Sequence, residues 1–476
     1  MAHALLTLSG DAALTAAFAR ALASDLRTGD VLLLDGPVGA GKSHFARALI
    51  RARLQSPDED VPSPTFTLVQ SYDSAPPIWH ADLYRLTDPA EVDELGLTDA
   101  MPDAISLIEW PDRMALPPAA LTISLRPLPD PDLREITLAG DEPLLSRAGR
   151  AARRAGFAHA AGWGGAEVAF LAGDASARRY FRLVRGTETA VLMDTDEATL
   201  TPYLAMTGWL AARGFDVPRI IASDAQAGLA LIEDFGDAQV GRVIGDDPAM
   251  AGPLYLRIAL VLARLAGHAP APGLKLLDGP ELAAQVGLFA QYYLPAAGGD
   301  AGAQAAADQI APVIARLHAR LCTDLPGVTG LRDFHAENII LTPDNRLGLL
   351  DFQDAVLVHP AYDLVSVLHD PRRSLPDGTE EAAITRFLDE TGFDPDRFRA
   401  AFAFLGLARN LRIMGIYTRL CIRDGKPHYL RFMPRLWSLI MRELQAPELA
   451  ELAVLIARIP PPDEGVIERI SRQCCP

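Results

Sequence analysis

The sequence predicts two globular domains in tandem: an α/β domain built on a parallel sheet, then an α+β domain of two lobes. Three observations carry this. An unbroken apolar run near the N-terminus leads through a glycine-rich loop into a helix. The composition shifts to Ala, Arg and Gly between residues 145 and 165. Beyond that shift, strand-like runs give way to a mostly helical pattern, interrupted by a compact block at 330–354. At 476 residues, and with domains of about 100–200 residues each, two or three domains are expected.

The elements follow in order. Residues 12–26 space Leu14, Phe18, Leu22 and Leu26 as a helix does, and Thr-Gly-Asp ends it. Val31-Leu32-Leu33-Leu34 reads as a strand buried on both faces, and residues 44–54 as a helix. Extended segments are expected at 67–72, 104–108, 121–126 and 135–138, separated by loops rich in Pro and Asp. The domain boundary is placed near 147, giving domains 1–147 and 148–476. In the second, strands at 180–184, 190–193 and 229–233 form an N-lobe over about 157–240, and a helical C-lobe runs from about 245 to 476. No internal repeat interrupts this order.

The net charge is -17, a field that repels polyanions, so a direct grip on nucleic acid by the chain alone is not expected. The N-terminus lacks the basic start and apolar core of a signal peptide. No uninterrupted apolar run reaches the roughly 18–20 residues that span a bilayer. A cytoplasmic protein without membrane attachment is therefore expected. Cys322, Cys421, Cys474 and Cys475 are too few for a disulfide framework. The adjacent terminal pair reads as an inert, frayed tail, with metal binding or oxidation as the alternative.

Gly36-Pro-Val-Gly39-Ala-Gly41-Lys42-Ser43 between strand and helix is a Walker A motif, which makes the first region an α/β P-loop NTPase domain. Its glycines let backbone N–H groups curl round phosphates, Lys42 reaches the terminal phosphates of ATP, and Ser43 ligates Mg²⁺. Three further clusters follow: Ser63-Pro-Thr65-Phe-Thr-Leu, His80-Ala-Asp82-Leu-Tyr84-Arg85-Leu and Leu107-Ile-Glu109-Trp110. With the P-loop, they resemble the TsaE family, the ATPase of bacterial tRNA threonylcarbamoyladenosine formation, over residues 5–140. The resemblance implies Thr65 as a switch near the γ-phosphate and Asp82 as the group that orients or deprotonates attacking water. It also implies Glu109 as a second Mg²⁺ ligand, Trp110 against nucleotide or partner, and partner subunits of the TsaB/TsaD type. Trp110 reads alternatively as core and Asp82 as a turn cap. His80 reads equally as a structural hydrogen-bonder.

Arg332-Asp333-Phe-His335-Ala-Glu-Asn338, followed by Leu349-Leu-Asp351-Phe-Gln-Asp354, has the catalytic-loop and metal-loop spacing of the α+β protein-kinase-like fold, with Leu331 where the first His usually stands. Asp333 fits the base, and Asn338 and Asp351 the metal ligands, on adjacent strands of a small hairpin. Asp354 reads as readily as a loop salt bridge. Glu233-Asp-Phe-Gly236 precedes this loop, so it is not the metal loop; Glu233 suits the hinge that holds adenine.

Gly162-Trp-Gly, Leu171-Ala-Gly173-Asp-Ala-Ser176-Ala-Arg-Arg179-Tyr-Phe-Arg, Val191-Leu-Met-Asp194 and Arg423-Asp-Gly-Lys-Pro-His-Tyr-Leu extend the match. Over 157–476 the chain resembles the aminoglycoside-phosphotransferase-like superfamily, and within it the anomeric kinases of N-acetylmuramate and N-acetylglucosamine. The resemblance implies Gly173–Ser176 as the loop covering the phosphates. The strand at 190–193 lacks the usual lysine, and Arg178 or Arg179 is the expected substitute. Arg409, Arg412 and Arg419 fall near one helical face, which suits an anionic sugar, although a solvated stripe reads as well. The rival readings are another metabolite hydroxyl as acceptor, a nucleotide-binding regulator without turnover, and an N-terminal ATP-driven adaptor unrelated to tRNA.

Overall fold

The computed structural model describes residues 6–88, 91–117, 119–173 and 178–475. They form two compact units, Met1–Thr201 with Arg219–Asp234, and Pro202–Pro218 with Phe235–Pro476.

The first unit holds two sheets. In the seven-stranded sheet, β1 (Leu6–Gly10) leads to α1 (Ala12–Ala23), β2 (Val31–Asp35) to α2 (Lys42–Leu54), and β3 (Val69–Tyr72), β4 (Ile78–Asp82), β5 (Ile105–Glu109), β6 (Leu121–Pro127) and β7 (Arg134–Gly140) complete the order β1-β7-β6-β2-β5-β4-β3. Its four central strands, β6-β2-β5-β4, are parallel, while β1, β7 and β3 join antiparallel. The prediction of a parallel sheet thus holds for the centre only. Val31 to Leu34 are buried on both faces, and each contributes about 1.5–3 kcal/mol by leaving water. β4, which carries His80 and Asp82, was not expected as a strand: Trp-His-Ala-Asp lacks the apolar run that marks its neighbours.

α3 (Leu144–Ala160) runs unbroken through the expected boundary at 147. The Ala/Arg composition that looked like a linker is an amphipathic pattern. Its alanines pack on α1, and Arg147, Arg150 and Arg154, spaced at three and four residues, share a face. That helix also covers one face of the second sheet, β8 (Glu167–Gly173), β9 (Arg179–Arg185), β10 (Glu188–Asp194), β11 (Ile220–Asp224) and β12 (Leu229–Glu233), in the order β11-β12-β10-β9-β8. Arg154, only 1% exposed, donates to Asp25 (2.5 Å) and Asp194 (2.8 Å) and lies over the Phe181 ring. Arg150 joins it on Asp194 at 2.6 Å, and Arg147 grips Asp30 through two nitrogens.

In the second unit, α4 (Ala251–Ala266) packs against α6 (Thr379–Thr391) and α5 (Ala361–Leu368). The segment Pro248–Ala266 is long and apolar enough to cross a membrane by length and composition, although Arg257 and Arg264 interrupt its apolar run; 44% of its apolar stretch is buried. β13 (Lys275–Leu276), β14 (Val328–Gly330) and β17 (Val356–Val358) form a small sheet, and β15 (Ile339–Leu341) and β16 (Leu347–Leu349) a hairpin. α7 (Pro395–Asp424) is the long central helix, and α8 (Glu464–Ser471) packs on it. The tail is not frayed. Cys474 is joined to Cys421 on α7 by a disulfide, leaving Cys475 exposed and Cys322 buried. The expectation failed because the partner cysteine lies 53 residues away, and only folding brings the tail to α7.

Candidate functional site

The first site forms where β2, β4 and β5 end beside the start of α2. Gly39 and Gly41 hold φ of +76° and +107° with nothing within 4 Å of a Cβ built on them, an open cradle of the kind phosphates fill. Gly36 has no such freedom, since a Cβ there would meet the Leu125 carbonyl oxygen at 2.4 Å. Lys42 folds back on the loop, donating to the carbonyls of Gly36 (2.7 Å) and Pro37 (3.0 Å), with Nζ 3.8 Å from the Trp110 ring centroid. Burial lowers its pKa, and Glu109, Asp82 and Asp35 offset this in part.

In parallel register, Asp82 on β4 lies beside Glu109 on β5. Ser43 Oγ donates to Glu109 Oε2 at 2.9 Å, so hydroxyl and carboxylate oxygens converge as a hard divalent cation requires. Ser63 and Thr65 both donate to Asp82 Oδ2, at 3.0 and 2.6 Å. His80, left open by sequence, is buried with its Nε2 3.0 Å from Glu109 Oε1. It positions that carboxylate, a role that a strand of mixed polarity does not reveal. Lys42, Ser43, Ser63, Thr65, Asp82 and Glu109, with Tyr84 and Trp110, line a cavity of about 440 Å³.

The second site is built in the second unit. Asn338 stands directly before β15 and Asp351 two residues after β16, so the hairpin sets them side by side. Asn338 Nδ2 donates to the Asp333 carbonyl (2.9 Å) and to Asp351 Oδ2 (3.2 Å), tying catalytic loop to metal loop. Gln353 donates to Asp351 Oδ1 and, at 3.0 Å, to Asp354, which fits the loop role for Asp354. Asp333 itself is exposed. Beneath the loop, Asp363 accepts the backbone N–H groups of Leu331 (2.5 Å) and Arg332 (3.0 Å). Burial pushes its carboxyl up to about 7, and those two hydrogen bonds restrain the rise.

Sequence reasoning missed Glu337. Burial raises its pKa, but His335, Arg372 and Arg373 outweigh this and hold it at about 2 against an ordinary 4.5. A depressed carboxyl contributes stability above the unfolded value, and this is lost as pH falls from about 4.5 towards 2. Urea unfolding between pH 5 and 3 should therefore show a smaller loss for Glu337→Gln than for the parent chain; equal slopes would refute this.

Other expectations were redirected. Arg179 sits on the face of its sheet covered by α3 and donates to Asp25 at 2.5 Å, so it is committed to the junction with α1 and not to phosphate. The alternation of β9 decides this, because Arg179 shares a face with Phe181 and Leu183; Arg182 lies on the other face, paired with Asp234. Arg178 is buried. Glu233 ends β12 and accepts the Arg219 N–H at 3.2 Å, and the chain passes between units at Asp234–Phe235. Gly173 ends β8; Ser176 lies outside the described residues. The arginine stripe is only partly exposed. Arg409 is buried, and its Nη1 has no hydrogen-bond partner among the described residues; Arg412 and Arg419 are half-buried.

Comparison with known proteins finds two families along the chain, the second of which begins within the first compact unit. Residues 9–135 match the family model of the threonylcarbamoyl adenosine biosynthesis protein TsaE, and residues 167–401 that of the phosphotransferase enzyme family. An N-acetylmuramate/N-acetylglucosamine kinase of Caulobacter vibrioides is 36% identical over 362 residues, spanning 66% of this chain and 97% of the relative. Its counterpart in Pseudomonas aeruginosa is 32% identical, over 63% and 92%. The tRNA threonylcarbamoyladenosine biosynthesis protein TsaE of Rickettsia bellii is 38% identical over 116 residues, 24% of this chain and 80% of the relative.

Proposed function

Because the chain belongs to the TsaE family over its first third and, over the remainder, to the phosphotransferase family of the N-acetylmuramate/N-acetylglucosamine kinases, we propose that it is a bifunctional enzyme. Its N-terminal ATPase supports formation of threonylcarbamoyladenosine in tRNA, and its C-terminal kinase transfers the γ-phosphate of ATP to the anomeric hydroxyl of N-acetylmuramate or N-acetylglucosamine. The functional domains divide near residue 147 even though α3 is continuous there, since the two family matches fall on either side of it.

The observation that carries the kinase reading is the Asn338 amide, which spans from the Asp333 carbonyl to Asp351. Asp333 accepts the proton of the sugar hydroxyl as that oxygen attacks phosphorus. Asn338 and Asp351 would hold Mg²⁺, which neutralises charge on the phosphates when bound. In the first site Ser43 and Glu109 would hold Mg²⁺. Asp82, kept in place by Ser63 and Thr65, orients the attacking water. Partner subunits of the TsaB/TsaD type carry out the transfer to tRNA, consistent with the acidic charge of this chain. Cytoplasmic residence follows from both roles.

The test is ATP consumption by Lys42→Ala, in which the first site is silent, against a panel of sugars and other hydroxyl acceptors. Stimulation by N-acetylmuramate or N-acetylglucosamine is expected; stimulation by choline or an aminoglycoside alone overturns the sugar assignment. Affinity capture with the first domain tests the other half by recovery of the threonylcarbamoyl-transfer subunits.

The buried Arg409 favours the sugar acid. A guanidinium kept from water with Nη1 unpartnered among the described residues, its pKa lowered by burial, suits the lactyl carboxylate of N-acetylmuramate. A lost charged hydrogen bond is worth about 1.5–3 kcal/mol. Arg409→Lys should therefore raise KM for N-acetylmuramate at least about 10-fold and leave that for N-acetylglucosamine, which has no carboxylate, nearly unchanged. Equal effects on both sugars would assign Arg409 to packing.

A further inference from the structure

Within the first unit lies a second cavity of about 440 Å³, between α1 and α2 on one side and the edge strand β8 with β9 on the other. Its volume falls in the range of small-molecule sites, about 300–1,000 Å³. It is not the P-loop site, with which it shares only His44. We propose that this cavity binds a phosphorylated small molecule.

Charge and unused donors carry the inference. Among the described residues, Arg20, Arg47 and Arg51 line the cavity with a single carboxylate, Glu167. Three positive charges against one negative leave two, in a chain whose net charge is -17. A phosphate monoester carries about -1.5 to -2 at neutral pH, which matches that surplus. Each arginine is anchored by one hydrogen bond to a backbone carbonyl: Arg20 to Gly164 (2.6 Å), Arg47 to Val61 (3.1 Å) and Arg51 to Glu59 (2.8 Å). Their other guanidinium nitrogens make no hydrogen bond or ion pair to a described residue, and Arg20 Nε is buried without a partner among those residues. Tethered guanidinium groups with free N–H edges are pre-organised for bidentate phosphate recognition. The burial that lowers the pKa of Arg20, offset in part by Glu167, is consistent with a group awaiting a counter-charge.

The walls between the cations are apolar, formed by Ala48, Ala52, Val168 and Val184. They would cover an organic moiety that bare phosphate lacks. Arg47 and Arg51 lie on the helix whose first turn presents Lys42 and Ser43, so the bound anion would rest against the element that also cradles the nucleotide.

The experiment is isothermal titration of the full chain with both nucleotide sites saturated by a non-hydrolysable Mg-ATP analogue. Two probes are used, N-acetylglucosamine 1-phosphate and inorganic pyrophosphate. We expect saturable binding of at least one probe, weakened at least tenfold in Arg47→Gln/Arg51→Gln. Tighter binding of the sugar phosphate assigns an organic ligand, and tighter binding of pyrophosphate a bare anion. Since those arginines also tether the loop before β3, Ala52→Glu serves as a second variant. It keeps every anchor, introduces a carboxylate into the cavity, and should abolish the same binding. Absence of saturable binding for both probes, or binding to both variants as tight as to the parent, overturns the proposal.

Discussion

Asp333→Asn lowers kcat for sugar phosphorylation by about 10²–10⁴-fold, the range for removing a general base, with little change in KM or in melting temperature. The separation is expected because the loop is held by groups other than the Asp333 side chain. Asn338 binds the Asp333 carbonyl, and Asp363 holds the N–H groups of Leu331 and Arg332. The Asp333 carboxylate is exposed and makes no hydrogen bond to a described residue. The amide preserves shape and removes only basicity. Single-turnover measurement of sugar phosphate, with ATP hydrolysis by the first site recorded in parallel, reads both effects. Undiminished turnover would exclude Asp333 as the base and favour a regulatory role for the domain. A lowered melting temperature would instead make it structural.

Arg154→Met destabilises the first unit by about 3–5 kcal/mol, the cost of breaking a buried ion network by removing one partner. Asp25 and Asp194, both nearly inaccessible, lose the guanidinium that joins them. Arg179 and Arg150 still satisfy one oxygen of each, which places the loss towards the lower end of that range. Arg185→Met is the control. Its pair with Glu188 is exposed on both sides, and exposed pairs contribute about 0–1 kcal/mol. Urea unfolding of both variants decides the matter, and a shift for Arg154→Met no larger than for Arg185→Met would mean that water reaches the network. Because Arg154 touches α1, β9 and β10, the P-loop sheet and the kinase strands should lose stability together, in one transition.

Legibility differed between the two sites for a physical reason. At the first, the Gly36–Ser43 loop, Asp82 and Glu109 each end a strand of one sheet, so parallel pairing brings them together without further instruction. At the second, a tight hairpin does the same for Asn338 and Asp351. Lys42, Ser43, Asp333, Asn338 and Asp351 could be proposed from motif spacing, whereas the roles of Asp82 and Glu109 came from the resemblance to the TsaE family, since Glu109 meets Ser43 from 66 residues away. Arg179 could not be assigned, because choosing between phosphate and Asp25 required knowing which face of β9 is covered.

The order of the two family regions, and the central strand and helix that flank the glycine-rich loop, could be read from the amino-acid sequence. Those features rest on local backbone rules and on side chains close in the chain. Packing in three dimensions decides that Asp25 meets Arg154 from 129 residues away, that Arg409 is buried with Nη1 unpartnered among the described residues, and that Cys474 meets Cys421. Each of these depends on which surfaces pack together. Packing is settled by the whole set of apolar faces burying at once, and no single stretch of sequence records its outcome.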